Sequence, residues 1–131
     1  MGNPTKKRRI GIFAVLLILV AVILILEVET NFIKHTIDDR LYDNYNHYLA
    51  CEELPTVNVV ELALSQHQNT VRQIEELSPG NVVVSLNPYE NDCKGKADIL
   101  IHYPSHESRL AIEKILGGKT FFGIPCRFRN W

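Results

Sequence analysis

Seventeen consecutive residues, Ile10 to Leu26, carry no charged or strongly polar side chain, and beyond them the apolar positions recur first at helical and then at strand spacing. A helix of that length reaches roughly 25 Å, near the ~30 Å hydrocarbon core of a bilayer. It also satisfies its own backbone where lipid offers no hydrogen-bond partner. The pattern predicts one transmembrane helix over residues 10–28, with the lipid bilayer as its partner through Ile10–Leu26. Gly11 is the one glycine in the run, so it carries no small-xxx-small seam.

Ile33, Ile37, Leu41, Tyr45 and Leu49 follow at steps of four, which keeps them on one slowly drifting face. Residues 29–50 are therefore expected to form an amphipathic stalk helix. Its apolar stripe needs a cover, either the following domain or a second copy of the chain. The uniform step of four argues against a sustained coiled coil, which alternates three and four.

Residues 51–131 read as a small α+β domain. Asn58 and Glu61 have capping-box spacing, and Val60, Leu64, His67, Val71 and Ile74 alternate four and three apart, predicting a helix to about Leu77. Ser78, Pro79 and Gly80 end it. Asn81–Leu86, Asp98–Tyr103 and Lys119–Ile124 read as strands, and His106–Leu116 as a helix capped by Ser105 and closed by Gly117 and Gly118. The order helix, strand, strand, helix, strand predicts two layers with a three-stranded mixed sheet. Its first two strands pair antiparallel, and the strand–helix–strand unit makes a right-handed parallel crossover. The tail Cys126–Trp131 either extends along the sheet edge or folds back.

Charge adds an orientation. Lys6, Lys7, Arg8 and Arg9 precede the apolar run and Glu27 and Glu29 follow it, so residues 1–9 are expected in the cytoplasm and the domain outside a cell membrane crossed once. A cleaved signal peptide fits less well, because Ile25, Leu26, Glu27 and Val28 lack the small residues of a cleavage site. Residues 27–93 carry three basic and twelve acidic side chains, and residues 94–131 carry seven and three. That acidic balance argues against nucleic acid as a partner. In an oxidising exterior, Cys51 and Cys93 are the natural disulfide pair, since both lie in polar irregular segments while Cys126 adjoins an apolar strand.

The chemistry-bearing motifs are few. Gly118, Lys119 and Thr120 resemble the end of a phosphate loop, but Glu113 stands where the earlier glycine belongs. His102 and His106 are four apart with Pro104 between them, so helical metal-ligand spacing does not apply, and neither metal nor cofactor is expected. The remaining candidate ligand site is the junction after the second strand, where His102, Ser105 and His106 meet a helix N-terminus and where Arg127 and Arg129 would add donors for an anion. The function expected from this reading is a non-catalytic extracytoplasmic module that binds a small ligand, another envelope protein, or itself through the stalk. A membrane-tethered hydrolase or thiol-dependent enzyme at the His102–His106 junction is the alternative.

Overall fold

The computed structural model describes the backbone of residues 4–30 and 32–131 and the side chains of residues 12–26 and 33–131. The chain divides into two compact units between Ile37 and Asp38.

The first unit holds α1, Pro4–Thr30, 27 residues long. Its described side chains, Ile12 to Leu26, are apolar and exposed all round. Among the described residues no helix is long and apolar enough to cross a membrane. Fifteen side chains of α1 are described, against the ~20 apolar residues that a span needs. The expected span over residues 10–28 begins and ends outside those side chains, and the cationic run Lys6 to Arg9 lies outside them as well.

A second helix, α2, runs over Phe32–Arg40 and stops there. The helix expected over residues 29–50 is thus replaced after Arg40 by an irregular strap. Asp43 and Tyr48 have φ of 53° and 52°, the left-handed region that interrupts a right-handed helix. Tyr45 exchanges two backbone hydrogen bonds of 2.9 Å with Phe128, so a residue expected on a helical stripe instead bridges to a strand.

The second unit, Asp38–Trp131, contains α3 (Val57–Gln66), α4 (Gln68–Glu75), β1 (Val83–Pro88), β2 (Ala97–Tyr103), α5 (His106–Leu116), β3 (Thr120–Phe121) and β4 (Ile124–Asn130). The fold is α+β. Its sheet has four strands rather than three, in the order β1-β2-β4-β3, with β1 antiparallel to β2, β2 parallel to β4 and β3 antiparallel to β4. The strand read over Lys119–Ile124 is divided by a tight turn. Phe122 and Gly123 both have positive φ, 49° and 86°, as a two-residue type I′ hairpin requires. The tail Cys126–Trp131, expected either along the sheet edge or folded back, instead forms most of β4, an inner strand that takes the place of Thr120–Ile124 as the parallel partner of β2. Pro125 is tolerated because the β2–β4 ladder starts one residue later, at Cys126 opposite Ile99.

The long helix expected from Asn58 to Leu77 is broken at His67, whose φ of −115° and ψ of 34° separate α3 from α4. Thr56, not Asn58, is the N-cap residue of α3. Helix α5 matches its reading: Ser105 Oγ accepts from the Ser108 N–H, and Gly117 closes the helix at φ 71°.

Alternation along β2 builds the core. Ile99, Ile101 and Tyr103 point to one side and are fully buried with Val60, Ile74 and Ile112 from the three helices and with Cys126 and Phe128 from β4. The helices therefore cover one face, leaving Asp98, Leu100 and His102 on the other.

Candidate functional site

On the face away from the helices, register brings several of the expected site residues together. Arg127 lies opposite Leu100 and Arg129 opposite His102, so His102, Arg127 and Arg129 share that face. Their side chains are then drawn to different partners. The His102 ring stacks on Trp131 with centroids 4.6 Å apart. Arg127 turns to Asp98, its Nη2 donating to Oδ1 at 3.2 Å and its Nε lying 2.6 Å from Oδ2. Ser105 is occupied as the cap of α5. His106 lies 2.9 Å through Nδ1 from Asp43 Oδ1 and is 66% exposed. Cys126 falls on the helix-covered face, opposite in the pleat to His102. Burial pushes its thiol up to about 12.

Two polar clusters that the sequence reading did not single out pin the strap. The first surrounds Asp98, which is fully buried. His47 Nε2 lies 2.8 Å from Oδ2, the Tyr89 hydroxyl donates to Oδ2 at 2.7 Å, and Asn87 Nδ2 donates to Oδ1 at 2.7 Å. His47 Nδ1 accepts from the Leu49 N–H at 3.1 Å, so its hydrogen must sit on Nε2, pointing at the carboxylate. Burial and the bond to Asp98 push the Tyr89 phenol up to about 12. Donors from the strap, β1, the following loop and β4 thus converge on one anion, as a buried charge demands.

The second cluster surrounds Arg109, also buried. Its Nε donates to Glu113 Oε1 at 2.9 Å, and its Nη1 donates to Asp43 Oδ1 at 2.9 Å and to the Asp43 carbonyl at 3.1 Å. The guanidinium carbon lies 5.9 and 5.8 Å from the ring centres of Tyr45 and Phe128, within cation–π range. Burial opposes the Arg109 charge, but the hydrogen bond to Glu113 and the nearby anionic groups outweigh it and raise its pKa. The Tyr103 hydroxyl donates to the Asp43 carbonyl, and burial pushes that phenol up to about 12. Farther along the chain, Cys51 and Cys93 stand at disulfide distance, Cα–Cα 5.3 Å. The strap is therefore attached to α5, β4, β2 and the loop after β1.

A groove away from the strap differs in character. A groove of about 260 Å³ runs between α4, α5 and the β3–β4 turn, lined by Thr70, Gln73, Ile115, Leu116 and Phe122. Phe122 is 58% exposed, and its ring lies flat on His67 with centroids 3.5 Å apart and planes 4° apart. A left-handed backbone at a phenylalanine costs on the order of 1 kcal/mol relative to Asn or Gly. Here that strain holds an aromatic ring at the mouth of a groove.

Asp98 was detectable in the sequence as an aspartate inside the apolar run Ala97–Ile101, a position at which an acid must find partners. Asp43 and His47 had no comparable signal, since their roles depend on the strap's leaving the helix. No protein-family model, curated protein or solved structure matches the chain.

Proposed function

We propose that the chain is a single-pass membrane protein, with residues 1–9 in the cytoplasm and residues 38–131 outside. The outer domain acts as a non-catalytic module that binds another envelope protein at the α4–α5 groove. Support for the anchor comes from the apolar circumference of α1: a helix apolar all round belongs in a protein core or in lipid, and the described side chains of α1 are exposed. The Cys51–Cys93 pair is in keeping with an oxidising compartment.

The observation that carries the binding role is Phe122. A type I′ turn favours Asn-Gly, and an exposed phenylalanine there sacrifices both backbone ease and solvation. The polar clusters around Asp98 and Arg109 already tie the domain's own elements together, whereas Phe122, with one ring face on His67, leaves the rest of its ring exposed beside a groove. Replacing it separates folding from function. Phe122→Asn is expected to fold with stability within ~1 kcal/mol of the parent, because the eased backbone offsets the lost stack on His67, while losing its partner.

A photo-crosslinking residue at position 122 in whole cells should give a discrete protein adduct. The same residue at Glu61, on α3, should not. Adducts of equal yield at both positions, or a Phe122→Asn chain that complements a deletion fully, would exclude this groove as the binding surface.

A further inference from the structure

We propose that one end of the outer domain, carrying Leu41, Tyr42, Tyr48, Arg129 and Trp131, rests in the headgroup layer of the membrane. The inference rests on the reading of α1 as an anchor and adds a second, peripheral contact to it. Only residues 31–37 separate the end of α1 from Asp38. Seven residues reach at most about 25 Å even when fully extended, so a domain joined to an anchored α1 is held close to the lipid surface.

Several contacts gather these side chains at the end of β4. The Asn44 N–H donates to the Asp38 carbonyl at 2.8 Å, closing the turn that presents Leu41 and Tyr42. Asn44 Oδ1 in turn accepts the Asn130 N–H at 2.8 Å, which fastens that turn to the last residues of the sheet. Tyr48 feels the charges of Asp38, Asp39 and Arg129. Arg129 is the register neighbour of His102, on which Trp131 stacks. Leu41 is 73% and Trp131 69% exposed, and Tyr42 and Tyr48 are exposed with them. Tryptophan, tyrosine and arginine beside leucine match the chemistry of the bilayer interface, where amphipathic rings sit at headgroup level and a guanidinium reaches outward along its stem.

Asp38 and Asp39 belong to the same end of the domain, so anionic lipid is not what draws it down. The expected attachment is apolar and aromatic, suited to zwitterionic headgroups, and it persists at high salt because screening acts on charge.

Trp131 is the chain's single tryptophan, and its Nε1 donates to the Asn81 carbonyl at 2.7 Å, which fixes the ring to the domain. The test reconstitutes the full chain in phosphatidylcholine vesicles with and without brominated acyl chains near the headgroup. The proposal expects bromine to quench Trp131, acrylamide to quench it poorly, and both results to hold at high salt. It also expects Tyr42→Ser with Tyr48→Asn, both at exposed positions, to reverse the preference while the protein still floats with the vesicles. Asn accepts the left-handed backbone of residue 48.

Floating protein whose Trp131 is quenched by acrylamide and not by bromine would overturn the headgroup contact and leave the anchor standing. Shielding from both quenchers would also overturn it, pointing to a protein cover such as a second copy. Bromine quenching that the double variant leaves unchanged would remove the named residues from the contact. Failure to float would refute the anchor and this inference together.

Discussion

Asp98 and Asp43 both collect donors from distant parts of the chain, but the two clusters are built inside out relative to each other. At Asp98 the buried ion is the anion, with the cation Arg127 at its rim. At Asp43 the buried ion is the cation Arg109, with the anions Asp43 and Glu113 more exposed around it. Each cluster takes a member from the strap: His47 in the first, Asp43 in the second. Together they explain why residues 41–50 leave the helix that their apolar spacing favours. Helix propensity is worth a few tenths of a kcal/mol per residue, whereas leaving a buried polar group short of a hydrogen-bond partner costs about 1–3 kcal/mol. Tertiary electrostatics therefore overrides local preference.

The comparison predicts unequal consequences when each buried ion is removed. Asp98→Ala should destabilise the domain by about 3–5 kcal/mol, because Arg127, Tyr89 and His47 lose their shared acceptor together. Arg109→Met should cost less, about 2–3 kcal/mol, since Asp43 keeps His106 as a partner, Glu113 is partly exposed and the methionine refills part of the volume. Denaturant unfolding followed by circular dichroism measures both. Equal losses, or a larger loss at Arg109, would contradict the assignment of Asp98 as the more deeply committed ion.

A third consequence lies at alkaline pH. Tyr89 in one cluster and Tyr103 in the other have phenols pushed up to about 12 in the folded chain, against about 10 when unfolded. The stabilisation from keeping them protonated is complete below pH 10 and is lost as pH rises through about 12. Absorbance titration should show these two phenols ionising last, and Tyr89→Phe should remove one late step without moving the other. Ionisation of both near pH 10 in the folded protein would contradict their burial.

The sequence revealed much of the sheet but little of the strap, and the difference has physical causes. Helix α5 was legible to the residue because Ser105 and Gly117 mark its ends by local chemistry. Strand β2 was legible because the apolar run Ile99, Leu100 and Ile101 is bounded by the turn residues Pro104 and Ser105. The β3–β4 hairpin was hidden because its turn is Phe-Gly in place of Asn-Gly, so the run from Thr120 to Ile124 looked continuous. The break at His67 was hidden because the apolar face continues through it and the ring's partner, Phe122, is distant in sequence. Of the expected ligand residues, His102, Arg127 and Arg129 do share one sheet face, as strand alternation allows. What each side chain touches was set by Asp98 and Trp131, which spacing alone does not connect.

The central claim is that the domain pinned by these clusters lies outside the membrane, with Cys51 and Cys93 oxidised and Cys126 buried. Labelling whole cells with a membrane-impermeant maleimide, before and after treatment with an impermeant reductant, tests it most directly. The account predicts no label at first, label at Cys51 and Cys93 after reduction, and label at Cys126 only after denaturation. Label that reaches Cys51 and Cys93 without reductant, and only once the cells are lysed, would contradict it.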